Sequence, residues 1–228
     1  MAKVIAFNCS PRMEKGNTAL ILNPFVSGMK KAGADVELLY TRRLEIEPCV
    51  GDFRCWSETL GECRFHDGGP ELLKKMSRAD IWVFGVPVYM KLPGEFQNLL
   101  NRTMPLFEPT VLLRGGSLLP TRRKDVRLKK IAMVSSCSYW GLENFDLVID
   151  VLEFMAKAMD VELARPLLRP NADLLKAMVR KGDDQFHVLE AAEEAGAELA
   201  KRGDIRKKTA EAVQIPFMSR KQFLAENG

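Results

Sequence analysis

The stretch from Lys3 to Ala32, KVIAFNCSPRMEKGNTALILNPFVSGMKKA, constrains the fold of this chain more than any other. Val4, Ile5, Ala6 and Phe7 form an unbroken apolar run too short for a helix, which suits a strand covered on both faces, as in a parallel sheet. After Asn8 come Cys9, Ser10, Pro11 and Arg12, then Lys15, Gly16, Asn17 and Thr18. From Ala19 the apolar positions Leu20, Ile21, Phe25 and Met29 fall largely on one helical face. A strand, a loop of small and charged residues and a helix start make an anion-binding device. The first helical amides have no intrahelical partner and sit at the positive end of the dipole, so a phosphate completes them. Ser10, Asn17 and Thr18 add short hydrogen-bonding side chains, Arg12 and Lys15 add charge, and Gly16 frees the backbone to wrap. An ordinary strand-to-helix connection with Asn17 as N-cap uses the same residue types. The stretch carries neither GxGxxG nor Gly-Lys-Ser/Thr, so it is not a dinucleotide fingerprint or a triphosphate loop.

Ser10-Pro11-Arg12, a few residues, then Gly16-Asn17-Thr18 resembles the FMN phosphate loop of the NADPH-dependent FMN reductase and iron–sulfur flavoprotein family. The resemblance implies an α/β, flavodoxin-like fold with bound FMN. It also implies NADH or NADPH as hydride donor, a small acceptor such as flavin or quinone, and a homodimer or homotetramer with the flavin near an interface. In that reading flavin N5 is the reactive centre, and no side chain is needed as acid or base. A one-electron carrier without a substrate pocket, and a relative that has lost its flavin, are the rivals.

Composition excludes little but directs the rest. The 228 residues, 46% hydrophobic and 28% charged, can fill one generous domain or two small ones. A net charge of +4, with Lys and Arg spread along the chain, gives no support for nucleic-acid binding. The first apolar run is too short for a signal-peptide core and no segment reaches membrane-spanning length, so a cytoplasmic protein with no membrane partner is expected.

Further along, Val36, Leu38 and Tyr40 alternate with polar neighbours as an outer strand does, and Ala79 to Val86 is a buried strand by composition. Pro87, Val88 and Tyr89 follow; in the resembling flavoproteins a Pro-Val-Tyr turn wraps the flavin ring, whereas alone it reads as a proline turn with a packed tyrosine. The helix from Pro93-Gly94 to Arg102 is similar to a family helix that closes with Asp-Arg. Here Asn101-Arg102 closes it and Gln97 stands where lysine is usual, so roles tied to those charges do not carry over. Residues 104–129 are an insertion, in which Leu112 and Leu113, Arg114-Gly115-Gly116-Ser117, and Leu118 and Leu119 read as a hairpin with leucines exposed for a partner subunit. Its basic run, Arg122, Arg123, Lys124 and Arg127, is either a solvated face or a site for a pyridine nucleotide's phosphates.

Ile131 to Val134 is the fourth strand, opening into Ser135, Ser136, Cys137, Ser138, Tyr139, Trp140 and Gly141. Small residues there let backbone approach a ligand while Tyr139 and Trp140 offer flat surfaces for a ring, and the segment resembles the family's third flavin loop. The other reading has Trp140 capping the core and Cys137 as an inert thiol. A helix from Phe145 to Met159, a fifth strand from Val161 to Leu168 and a helix from Phe186 to Lys201 complete a doubly wound, five-stranded parallel sheet with helices on both faces. Ligands of such sheets bind at strand carboxyl ends, where all three candidate loops lie. Residues 1–203 are expected to form the FMN-binding domain and 204–228 a C-terminal arm, in which Ser219 and Gln222 make a capping box.

Three of the five cysteines crowd into a loop at 47–69. Cluster-bearing family members show cysteines with two residues between each of the first three, and a fourth further on. Cys49, Cys55 and Cys63 match three of those positions, with Asp52 in the second. The resemblance therefore implies a degenerate loop without an iron–sulfur cluster, since a four-iron cluster normally takes four thiolates. Three sulfurs and His66 also make a chemically allowed zinc set, though at irregular spacing.

Overall fold

The apolar run at the N-terminus becomes the middle of a parallel sheet, where both faces need covering. The computed structural model describes residues 1–90, 92–182 and 186–227, without the side chain of Phe186. In chain order the elements are β1 (Lys3–Asn8), α1 (Asn17–Lys31), β2 (Asp35–Tyr40), α2 (Arg54–Ser57), α3 (Gly69–Arg78), β3 (Ile81–Pro87), α4 (Gly94–Asn101), β4 (Phe107–Arg114) and β5 (Ser117–Arg122). They continue with β6 (Lys130–Ser136), α5 (Asp146–Met159), β7 (Glu162–Leu163), β8 (Leu167–Arg169), α6 (Ala172–Lys181), α7 (Phe186–Arg202), α8 (Lys207–Gln214) and α9 (Arg220–Asn227). The strand order is β2-β1-β3-β6-β7, with β8 also on β6, and every pairing in this sheet is parallel. The chain winds outward from β1 to β2 and then crosses to β3, so the direction of winding reverses between β1 and β3. That is the flavodoxin-like arrangement, and its crevice opens at the carboxyl ends of those strands.

The fifth position departs from one continuous strand. It is split into β7 and β8 around Ala164, Arg165 and Pro166, because Pro166 has no N–H to give the ladder and Arg165 N–H turns away to Asp204 Oδ1 at 2.7 Å. Helix α6 is a further difference, since no helix was expected between the fifth strand and Phe186. The cysteine loop contains one turn of helix, α2, rather than none.

Two apolar layers enclose the sheet. On one face Phe7 stacks on Phe84 with 5.5 Å between ring centroids, and Trp82, Phe96, Met76 and Leu152 close round them. On the other, Ile21, Phe25 and Met29 of α1 meet Val4, Val83 and Val134 of the sheet and Ala192, Ala195 and Leu199 of α7. Helices α1 and α7 cross at glycines: a Cβ on Gly28 would sit 1.8 Å from the Glu193 carbonyl oxygen, and one on Gly196 1.8 Å from that of Phe25. Such contact brings the two backbones together and leaves no room for a side chain.

The insertion forms an antiparallel hairpin, Arg114 opposite Ser117, turning through Gly115 and Gly116 at φ +54° and +79°. Positive φ at both central residues suits the right-handed twist of the strands and favours glycine. Leu112, Leu113 and Leu118 are exposed as expected; Leu119 is buried, because its strand β5 is the one that packs against α5. In the basic run, Arg122 donates to the Leu128 carbonyl and Arg123 pairs with Asp125 at 3.1 Å, so two of the four cations serve the hairpin itself.

Beyond residue 203, α8 buries Thr209, Ala210 and Val213. Arg169 is fully buried and donates to the Val213 and Ile215 carbonyls at 2.9 and 2.8 Å, with its guanidinium 4.1 Å from the Phe217 ring centre. Burial lowers its pKa to about 10. Ser219 and Gln222 form the capping box of α9, Ser219 N–H to Oε1 at 2.9 Å and Gln222 N–H to Oγ at 3.3 Å. Gly228 lies outside the described residues. Among those described, no helix is long and apolar enough to cross a membrane.

Candidate functional site

The first loop leaves β1 and doubles back on itself before α1. Ser10 N–H donates to Asn8 Oδ1 at 3.0 Å, Arg12 N–H to Ser10 Oγ at 3.2 Å and Met13 N–H to the Ser10 carbonyl at 2.9 Å. Gly16 closes the turn against Ser10, where a Cβ would lie 2.3 Å from the hydroxyl oxygen. Gly16, in extended conformation, is the N-cap of α1, so Asn17 is the first helical residue and not the cap. Its amide Nδ2 donates instead to Asp173 at 2.6 Å, and its Oδ1 is buried without a partner among the described residues.

Backbone hydrogen bonds join the other two loops. Val88 N–H donates to the Ser136 carbonyl at 2.9 Å, and Ser135 Oγ to the Val86 carbonyl at 2.6 Å. Thr18 is wholly buried, its hydroxyl 2.8 Å from that of Ser136, which ties the start of α1 to the third loop. Downstream backbone completes that loop: Cys137 N–H donates to the Arg169 carbonyl at 3.0 Å, Asn171 N–H to Tyr139 at 3.0 Å, and Ala172 N–H to Cys137 at 2.9 Å.

The loops enclose a cleft of about 360 Å³ over the carboxyl ends of β1, β3 and β6. Ser10, Arg12, Asn17, Pro87, Val88, Tyr89, Ser136 and Cys137 line it, together with Pro11, Ser138 and Asp173. Thr18 lies beneath it. Tyr139 is exposed at its edge, and Trp140 turns away, with its indole N–H donating to the Met218 carbonyl at 2.9 Å. Gly141 packs against the Glu143 carboxylate, away from the lining residues. Burial raises the pKa of the Cys137 thiol, as it does for Cys9 beneath the first loop. Sequence reasoning missed Asp173, which α6 delivers to the cleft. The spacing of Leu174, Leu175, Met178 and Val179, followed by Gly182, carried the signal for that helix.

The cysteine loop stands apart from this cleft. Cys49, Cys55 and Cys63 share a small cavity of about 50 Å³ with Asp52, Arg64 and Arg102. Desolvation raises the pKa of Cys55, with Cys63 and Cys49 adding to the effect. Asp52 is ion-paired to Arg64 at 3.0 Å and accepts the Arg54 N–H at 3.3 Å. His66 lines an adjoining surface groove with Cys63, Pro70, Leu73 and Arg123, and is not among the residues of the cavity that all three thiols share. Among the described residues, no three His, Cys, Asp or Glu side chains are placed to hold a metal ion.

The model of the family described as NADPH-dependent FMN reductase matches residues 2–162. The chain belongs to that family. An iron–sulfur flavoprotein of Methanocaldococcus jannaschii is 35% identical over 105 residues, 46% of this chain and 53% of that protein. One of Archaeoglobus fulgidus is 33% identical over 126 residues, 55% and 60% of the two chains. The match thus spans little more than half the length of these curated relatives. In fold, this FMN reductase family member is similar to an NAD(P)H:quinone oxidoreductase of Methanothermobacter marburgensis (TM-score 0.62, 15% identity, covering 87% of this chain and 96% of that one). It is also similar to an FMN-dependent NADH-azoreductase of Bacillus anthracis (TM-score 0.63, 12% identity, 88% and 100%).

The cleft suits the family's flavin nucleotide. It is of ligand size, its first loop ends at a helix N-terminus, and the unpartnered Asn17 Oδ1 is an acceptor for a hydroxyl such as those of a sugar-alcohol chain. The cysteine loop does not suit a four-thiolate cluster: a carboxylate held by Arg64 stands in one of the four places.

Proposed function

We propose that this protein is an FMN-dependent NAD(P)H oxidoreductase that passes electrons from NADH or NADPH to a small acceptor such as a flavin or quinone. The observation that carries this reading is the convergence of three loops on one cleft at the reversal point of the sheet, the first ending at the N-terminus of α1. Ser10, Arg12, Asn17 and the first amides of α1 are assigned to the phosphate. Pro87, Val88 and Tyr89, with Ser136, Cys137 and Ser138, are assigned to the flavin ring; their backbone supplies hydrogen bonds without bringing charge. Thr18 and Ser136 hold the first and third loops in register. Tyr139 and Tyr89, both exposed at the mouth, offer flat apolar surface beside an arriving nicotinamide. Bound FMN supplies the chemistry, accepting a hydride at N5 and passing electrons on. The names of the structural relatives agree with a quinone- or dye-like acceptor.

The rest of the reading has its own supports. Exposed Leu112, Leu113 and Leu118 favour a homodimer or homotetramer, and the free state of all five cysteines favours the cytoplasm. Residues 1–203 form the flavin domain and 204–228 an arm that packs on it. The cysteine loop carries no cluster.

Flavin titration tests the phosphate assignment. Ser10→Ala combined with Arg12→Ala should weaken FMN binding by about 1–3 kcal/mol, the worth of hydrogen bonds to a charged group, and leave riboflavin unaffected. Equal losses for the two flavins would refute the assignment. Anaerobic stopped-flow mixing tests the activity: rapid bleaching of the flavin absorbance by NADH or NADPH is expected, and a flavin inert to both would favour an electron carrier.

A further inference from the structure

Among the described residues lining the cleft, Asp173 is the one carboxylate, in a site whose other charged lining residue is Arg12. A negative charge beside a phosphate pocket is a liability unless it has a task. The donors it uses suggest one. Asn17 Nδ2, on the first residue of α1, lies 2.6 Å from Asp173 Oδ1. Ser138 and Arg12 line the cleft beside this carboxylate, and the charges of Arg12 and Lys176 stabilise its ionised form. Lys176 itself is fastened to the Lys15 carbonyl of the first loop. Asp173 therefore occupies a donor that a phosphate at the N-terminus of α1 would need.

Its attachment also suits displacement. The backbone around it is fixed, Asn171 in the left-handed region at φ +51° and the Asn171 and Ala172 amides bonded to the third loop. The Asp173 side chain itself is exposed at the mouth of the cleft and can rotate toward water.

We propose that Asp173 is a built-in substitute for the flavin's phosphate, holding the Asn17 amide and giving Arg12 a counter-charge in the cleft until the nucleotide displaces it. This rests on the phosphate assignment above. The carboxylate keeps the Asn17 amide ordered, but the incoming phosphate has to break that hydrogen bond and then lie beside its charge. Asp173 thus weakens the hold on FMN selectively, since an unphosphorylated flavin does not contest that donor or meet that charge. The consequence is a cofactor that exchanges with free FMN.

Titration of the apoprotein with FMN and with riboflavin, followed by flavin fluorescence, tests the proposal in Asp173→Asn, in Asp173→Ala and in the Ser10→Ala/Arg12→Ala protein. Both Asp173 variants should bind FMN roughly ten-fold more tightly, the effect of removing one like charge at the partly solvated rim, and riboflavin should change by less than about two-fold. Unchanged riboflavin affinity also shows that the variants are folded. If the Asp173 variants bind FMN equally or more weakly, or shift both flavins together, the proposal is overturned. The phosphate assignment survives that result if Ser10→Ala/Arg12→Ala still weakens FMN alone. If that double variant fails to distinguish the flavins, both readings fall.

Discussion

Replacing Asp67 by Asn should show how the cysteine loop is anchored. Arg102 leaves the end of α4 with its side chain 1% exposed and forms a two-pronged ion pair with Asp67, Nη1 to Oδ2 at 2.7 Å and Nη2 to Oδ1 at 2.8 Å. Asp67 also accepts the Glu47 N–H at 2.6 Å and the Gly69 N–H at 2.8 Å, so both ends of the loop close on one carboxylate. Asparagine keeps the shape but removes the charge and turns an NH₂ toward a donor. The guanidinium is then left buried without a counter-charge, its acceptors reduced to one amide oxygen and the Glu47 carbonyl at 2.6 Å. Breaking a buried pair from one side costs about 3–5 kcal/mol, and because Asp67 retains some solvent contact the lower end, about 3 kcal/mol, is expected. Hydrogen bonding by Arg102, followed by the Glu47 and Gly69 amides, outweighs desolvation and holds the Asp67 carboxyl well below the usual carboxylate range. A depressed folded-state pKa contributes stability that is complete above the unfolded value, near 4, and is lost as pH falls toward the folded value. The gap between parent and variant should therefore be full at neutral pH and narrow in acid. Urea unfolding followed by tryptophan fluorescence is the assay, Trp56 in this loop being bonded to the Met104 carbonyl at 2.9 Å. A loss under about 1 kcal/mol at pH 7, against the 3–5 kcal/mol typical of buried pairs, or a gap that does not narrow below pH 4, would refute the reasoning.

Two further outcomes follow from the packing and the thiol loop. Gly28→Ala places a methyl 1.8 Å from the Glu193 carbonyl oxygen, so α1 and α7 must separate; a loss of at least about 3 kcal/mol by thermal or urea unfolding is expected, and a neutral effect would contradict the crossing described. Aerobically purified protein should carry flavin but almost no iron or acid-labile sulfide, whereas Asp52→Cys should gain brown absorbance on anaerobic reconstitution. Stoichiometric iron in the unaltered protein would make Asp52 or a neighbour a ligand and end the clusterless reading.

Features written in neighbouring residues were legible in the sequence. The strand, loop and helix start at 3–31 was, because an apolar run, small residues and a helical period follow one another directly, and the Gly115-Gly116 turn was for the same reason. Pro166 was equally visible, yet its interruption of the last strand shows only once β6 is known as the partner whose ladder it breaks. The capping of α1 by Gly16 rather than Asn17 depends on where the Asn17 side chain finds a better partner, and that partner is 156 residues away. Trp140 reads as a ring-facing surface from its flat side chain and the resemblance of its loop; its hydrogen bond to Met218 comes from a segment 78 residues downstream. Long-range pairings of this kind decide the rim of the cleft, while local chemistry decides its floor.

The dependence of the third loop on Arg169, Asn171 and Ala172 has a consequence for the order in which the molecule is made. A chain emerging from the ribosome presents β1, β3 and β6 first, so the first two loops can take shape while the carbonyl that receives the Cys137 amide is still unsynthesised. Only when β8 and the segment that engages Arg169 have emerged can the last wall of the cleft set. Newly made protein thus lacks the last wall of its cleft until the chain beyond β8 has been made.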